Sequence, residues 1–106
     1  FLTIKNLKNS DKAISFYVKQ NNKKNTFFDK KKNKIILNKD FFNNPHEIVF
    51  RSFSDCIMLI GKKHNPSRGK KIDYILEKIK KNALIKETLG GCVIKSLNQS
   101  IIVDKE

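Results

Sequence analysis

The chain has no long hydrophobic run, few acidic residues, only two arginines, two cysteines and no phosphate-cradling glycine loop. Each shortage closes off a class of function. No apolar stretch approaches the roughly 18 residues a membrane-spanning helix requires, so a helical span is excluded. Cys56 and Cys92 stand far apart with no CxxC pair, and His46 and His64 do not complete a zinc set with them. A buried thiol in a reducing compartment is the expected state of each; nothing in the spacing calls for a disulfide, and the sequence alone leaves one open. The LGGC stretch at 89–92 lacks the spacing and the lysine of a nucleotide-binding loop, and no SGGxDS-type loop occurs. Neither histidine has a neighbouring nucleophile, and no local signature marks a Cys, His and Asp triad. The chain reads as non-catalytic, with no metal, which leaves binding or scaffolding as its work.

What the chain does have is lysine. Formal net charge is +13, from 23 Lys and Arg against 10 Asp and Glu, and such an excess makes a polyanion the first partner to consider. Only Arg51 and Arg68 are arginines, while Asn and Ile are abundant. A Lys, Asn and Ile bias is what an AT-rich coding sequence gives, and a merely solvated basic surface is the plain alternative. That bias accounts for lysine replacing arginine, but not for the shortage of acids. Charge therefore favours nucleic acid.

A length of 106 residues suits one domain around one small core. The chain opens at Phe1 without a methionine or a signal-peptide pattern, and reads as a cytoplasmic segment of a longer protein. Ser10 is a candidate N-cap, Asp11 complements the helix dipole, and Ile14, Tyr17 and Val18 recur at helical spacing. A first helix is thus expected over 10–21, continued backwards through Leu2, Ile4 and Leu7 and ended by the polar run NNKKN. Thr26-Phe27-Phe28 and Ile35-Ile36-Leu37 flank DKKKNK and predict a hairpin. Asn43-Asn44-Pro45 starts a second helix, because Asn can cap and Pro is tolerated in the first turn. Along 46–60, Ile48, Val49, Phe53, Cys56, Ile57, Leu59 and Ile60 cover more than half the circumference, which predicts the centre of the core. Glu47, Arg51, Ser54, Asp55 and Lys62 fill the rest; Arg51 and Asp55 are spaced for an i, i+4 ion pair, and Gly61 for a terminating glycine. Two β-branched runs around Asn98-Gln99, following Gly90-Gly91, predict a closing hairpin over 92–105. The expected class is α+β, a small domain of about three helices with two short β-hairpins forming small antiparallel sheet.

The third helix, with Ser67 as its cap candidate, carries the functional signal. Ile72, Ile75, Leu76 and Ile79 make a narrow apolar stripe that packs on one side. Opposite it the helical wheel places Lys70, Tyr74, Glu77 and Lys81, with Lys71 and Lys78 on one shoulder and Lys80 on the other. Lysines there can neutralise phosphates while the tyrosine stacks on a base or ribose. Lys62, Lys63 and Arg68 lie at the loop leading in. The candidate RNA-binding residues are thus Lys62, Lys63, Arg68, Lys70, Lys71, Tyr74, Lys78 and Lys81. Taken alone, Tyr74 also fits an ordinary wet face on which it snorkels.

In order along the chain, NPHEIVFRSFSDCIMLIG, NPSRGKKIDYILEKI and the closing TLGGCVIKSLNQSIIVDKE resemble the region of bacterial tRNA(Ile)-lysidine synthases that follows their catalytic domain. The TLGGC ending carries most of the likeness. The resemblance covers residues 26–106, which it makes a substrate-binding domain, with residues 1–22 as the connecting helix. It implies an ATP-dependent ligase, active in tRNA modification, that attaches lysine to the wobble cytidine of tRNA(Ile). ATP, with Mg, would be held by an N-terminal catalytic domain to which no residue here corresponds, so no catalytic residue and no cofactor is carried over to this chain. The implied partners are tRNA and that catalytic domain, without a membrane. Whether the chain dimerises stays open. The alternative is a basic protein-interaction or structural domain without RNA binding, whose charge reflects genome composition.

Overall fold

The computed structural model describes residues 11–62 and 69–106. Helix α1 (Asp11–Lys24) leads into strands β1 (Thr26–Asp29) and β2 (Lys34–Leu37) and a short 3-10 segment (Lys39–Phe42). Helices α2 (His46–Gly61) and α3 (Gly69–Lys80) follow, and then strands β3 (Lys86–Leu89), β4 (Cys92–Leu97) and β5 (Ser100–Lys105). The five strands form one antiparallel sheet in the order β1-β2-β5-β4-β3. The α+β class is as the sequence predicts, and so are both hairpins. The strand content is larger, however: β3 is an additional strand, and the hairpins belong to one sheet.

Lateral partners in a sheet point to the same face. The registers Leu37↔Ile101 and Ile35↔Val103↔Ile94 therefore collect the β-branched and leucine side chains on one side. That side meets α2 through Phe53, Ile57 and Ile60, and α3 through Ile72, Ile75 and Leu76, in one buried cluster. Each such side chain stabilises the fold by about 1.5–3 kcal/mol through burial. Helix α2 is the centre of the core, as its wide apolar arc predicts, with Leu59 as the exception at 52% exposure. Helix α1 packs on α2 through Ile14 and Val18 around Ile48, with Tyr17 alongside.

Asparagine joins these elements. Asn21 is buried; its Nδ2 donates to the Phe41 carbonyl at 3.2 Å, while its Oδ1 accepts from Asn25 at 2.8 Å and from Asn44 at 3.1 Å. These bonds explain why α1 runs on through Lys24 and is not ended by NNKKN: a buried amide must find partners, and the extra turn supplies Asn25 beside it. Asn38 caps the 3-10 segment by accepting from the Phe41 amide at 3.0 Å, which seats Phe41 in the core.

Local geometry corrects two sequence readings. Arg51 pairs through Nε with Glu47 at 3.0 Å and not with Asp55; an acid one turn N-terminal to its cation is the better orientation in a helix. The left-handed residue that ends α2 is Lys62 (φ 54°), whose amide donates to the Met58 carbonyl at 2.8 Å. Gly61 is inside the helix, where a Cβ would stand 2.0 Å from the carbonyl oxygen of Gly90. It serves close packing, not termination. Gly90 (φ 58°) and Gly91 (φ 82°) form the two-residue loop between β3 and β4, a conformation that favours glycine at both positions. Asn98 and Gln99 do the same between β4 and β5, with φ 47° and 67°. Ser10, Ser67 and the backward extension through Leu2, Ile4 and Leu7 lie outside the described residues.

Candidate nucleic-acid interface

Helix α3 presents its basic face because its opposite face is committed to the core. Ile72, Ile75 and Leu76 are buried and Ile79 packs against them, so Lys70, Lys71, Tyr74, Glu77 and Lys81 are turned to solvent. The helix stops cleanly. Asn82 takes the left-handed conformation (φ 56°), its amide donates to the Ile79 carbonyl at 3.1 Å, and the Ala83 amide donates to the Lys78 carbonyl at 2.8 Å. This 6→1 and 5→2 pair satisfies carbonyls that a bare helix end would leave open.

The predicted residues divide by what they already touch. Lys70 and Lys71 are exposed and have no carboxylate partner among the described residues. Lys78 Nζ lies 3.1 Å from Glu87 Oε2 and 4.9 Å from the centroid of the Tyr74 ring. Its ammonium is held above the ordinary lysine range, by Tyr74 first and Glu87 second. Lys78 thus bridges α3 to β3 and stands over the tyrosine. Lys81 Nζ is 3.5 Å from Glu77 Oε1, an exposed i, i+4 pair that costs little to exchange for a phosphate. Tyr74 remains 48% exposed. Lys62 is exposed at the end of α2 and makes no hydrogen bond or ion pair with α3. Lys63 and Arg68 lie outside the described residues. The structure therefore assembles Lys70, Lys71, Tyr74 and Lys78 on one helix, with Lys81 at its C-terminal end.

The thiols offer no nucleophile to this surface. Cys56 is buried and its thiol is pushed up to about 12, by desolvation first and then by the charge of Asp55. Cys92 is raised to about 11, again by desolvation first, and its Sγ donates to the Ile57 carbonyl at 3.2 Å. Both are free thiols in the core.

Beside the basic face lies a feature that sequence reasoning missed, a groove of about 540 Å³ between the 3-10 segment, the start of α2, α3 and the β4–β5 turn. His46 Nε2 and Asp73 Oδ1 meet at its edge at 3.2 Å. Its lining runs from Lys39 to Ile101 along the chain, so no local motif announces it. No described helix is long and apolar enough to cross a membrane. Compared with protein-family models, curated proteins and solved structures, the chain matches none.

Proposed function

We propose that the chain is the tRNA-binding and positioning domain of an ATP-dependent, tRNA-modifying ligase of the cytoplasm, of the kind that attaches lysine to the wobble cytidine of tRNA(Ile). The observation that carries the RNA-binding part is the outer face of α3. There Lys70 and Lys71 stand without carboxylate partners among the described residues, beside a half-exposed Tyr74, in a chain of net charge +13. Lysines so placed bind phosphates as point charges; they supply affinity and orientation more than base specificity. The ligase part rests on the likeness of the TLGGC ending and the helices before it. In that reading the reacting cytidine and ATP belong to a partner domain, and this chain holds tRNA away from the chemistry.

The test replaces Lys70, Lys71 and Lys81 together by glutamine; Lys78 is left intact because it anchors α3 to β3. Each phosphate no longer neutralised should remove about 0.9 from the slope of log affinity against log salt for a helical target, so the triple variant should flatten it by roughly two to three units. Weaker tRNA binding with that flattening, at unchanged thermal stability, supports the reading. Unchanged affinity and slope would leave a solvated basic face and favour a structural or protein-interaction domain.

A further inference from the structure

We infer that the groove beside α3 receives one unpaired base of the bound RNA, so that the chain prefers single-stranded to duplex segments. The inference rests on the α3 reading above. Phe42, Val49, Leu76, Ile79, Leu84 and Ile101 give the groove its apolar lining, and its volume of about 540 Å³ is within the range of about 300–1,000 Å³ in which drug-sized ligands are held, ample for a base. Its rim carries the groups a nucleotide needs. Asn82 and Gln99 line it, and their side-chain amides make no hydrogen bond among the described residues, so each can offer both donor and acceptor to a base edge. Lys39 and Lys80, also on the rim, are exposed and lack carboxylate partners among the described residues. Of the two acids of α3 at the groove, Asp73 has His46 Nε2 at 3.2 Å and Glu77 has Lys81 Nζ at 3.5 Å.

Position on the helix links groove and basic face. Lys80 belongs to the shoulder of α3 that turns into the groove, whereas Lys71 and Lys78 belong to the other shoulder, and Lys70 and Lys81 lie between them. A helix is only about 10–12 Å across, so a backbone crossing the outer face of α3 brings its next nucleotides to the groove. A base paired inside a duplex has its edge occupied and its faces stacked; only an unpaired one can be turned into an apolar slot. The duplex would thus keep the phosphate contacts of α3 and gain nothing from the groove.

Two variants test this by fluorescence anisotropy, on a single-stranded RNA octamer and on an RNA duplex of the same length. Ser96 is exposed on β4 and lines the groove, so Ser96→Trp should place an indole inside it and cover part of its apolar lining, and strands accept tryptophan well. Lys39→Gln with Lys80→Gln removes only exposed charges and leaves the core untouched. With the slot narrowed and its apolar lining covered, Ser96→Trp should bind the octamer about tenfold more weakly, with duplex affinity unchanged. The double lysine variant should also weaken the octamer more than the duplex. If both variants bind the octamer like the parent chain, the groove proposal is wrong while the α3 face stands. Equal losses on octamer and duplex would likewise overturn it, because the groove would then discriminate nothing. If the parent chain binds neither RNA, the α3 reading fails and the groove proposal falls with it.

Discussion

Burial holds Cys56 and Cys92 in the thiol form, and this has a measurable pH signature. An ordinary thiol ionises near 9.0, whereas in the fold the two values are raised to about 12 and about 11. A raised value means that the folded state keeps its proton after the unfolded chain has lost it. This contribution is fully present below pH 9 and disappears as pH climbs through 11 to 12. Lysine deprotonation falls in the same range, so the comparison is between the parent chain and a Cys56→Ala, Cys92→Ala variant. The parent should lose more stability between pH 9 and 12, measured by denaturant melts. At pH 8 neither thiol of the native parent should react with a disulfide reagent, and both should react in guanidinium. Rapid labelling of native Cys92 would contradict its packing against the Ile57 carbonyl, and rapid labelling of native Cys56 would contradict its burial.

Elements formed by local rules were legible in the sequence. The 3.6-residue spacing of Ile72, Ile75 and Leu76 identifies α3 and its buried face. The β-branched runs around Asn98-Gln99 give the closing hairpin, whose turn has positive φ at both residues. Strand β3 was not legible because Lys-Glu-Thr-Leu offers no buried side chain; it is an edge strand with alternating exposed and half-buried positions, held by its pairing with β4. The 3-10 segment depends on Asn38 and on Phe41 reaching the core, neither of which has a helical period. Gly61 shows how a correct residue can be given the wrong reason. Its value lies in the approach of the α2 end to the β3–β4 loop, so Gly61→Ala must push Gly90 away, because a Cβ would meet its carbonyl oxygen at 2.0 Å. The expected cost is about 1–3 kcal/mol, read as a lower urea midpoint at constant m-value. A variant as stable as the parent would show that the loop shifts freely.

At the level of the whole molecule, sheet order decides what can be removed. Strand β5 lies between β2 and β4 and makes both of the joins that unite the sheet. Ending the chain after Leu97 should leave two hairpins that cannot merge, with Ile35, Leu37 and Ile94 deprived of Ile101 and Val103 beside them. The expected result is loss of cooperative thermal unfolding and of near-ultraviolet circular dichroism, with helical far-ultraviolet signal partly kept. A sharp transition in the shortened chain would contradict the central place of β5. The same scale separates what a sequence can say of the two surfaces. The basic face of α3 is carried by one helix and can be drawn on a wheel, whereas the groove gathers side chains from Lys39 to Ile101 and exists only once the chain has closed. That closure has a consequence during translation. The strand that completes the sheet is made after every other described strand, so a nascent chain carries two unpaired strand edges and an open apolar layer until β5 has left the ribosome. Edges of this kind recruit other chains. Synthesis at high local concentration should therefore yield aggregates seeded by β2 and β4, and holding chaperones should act chiefly on chains that stop before Ser100.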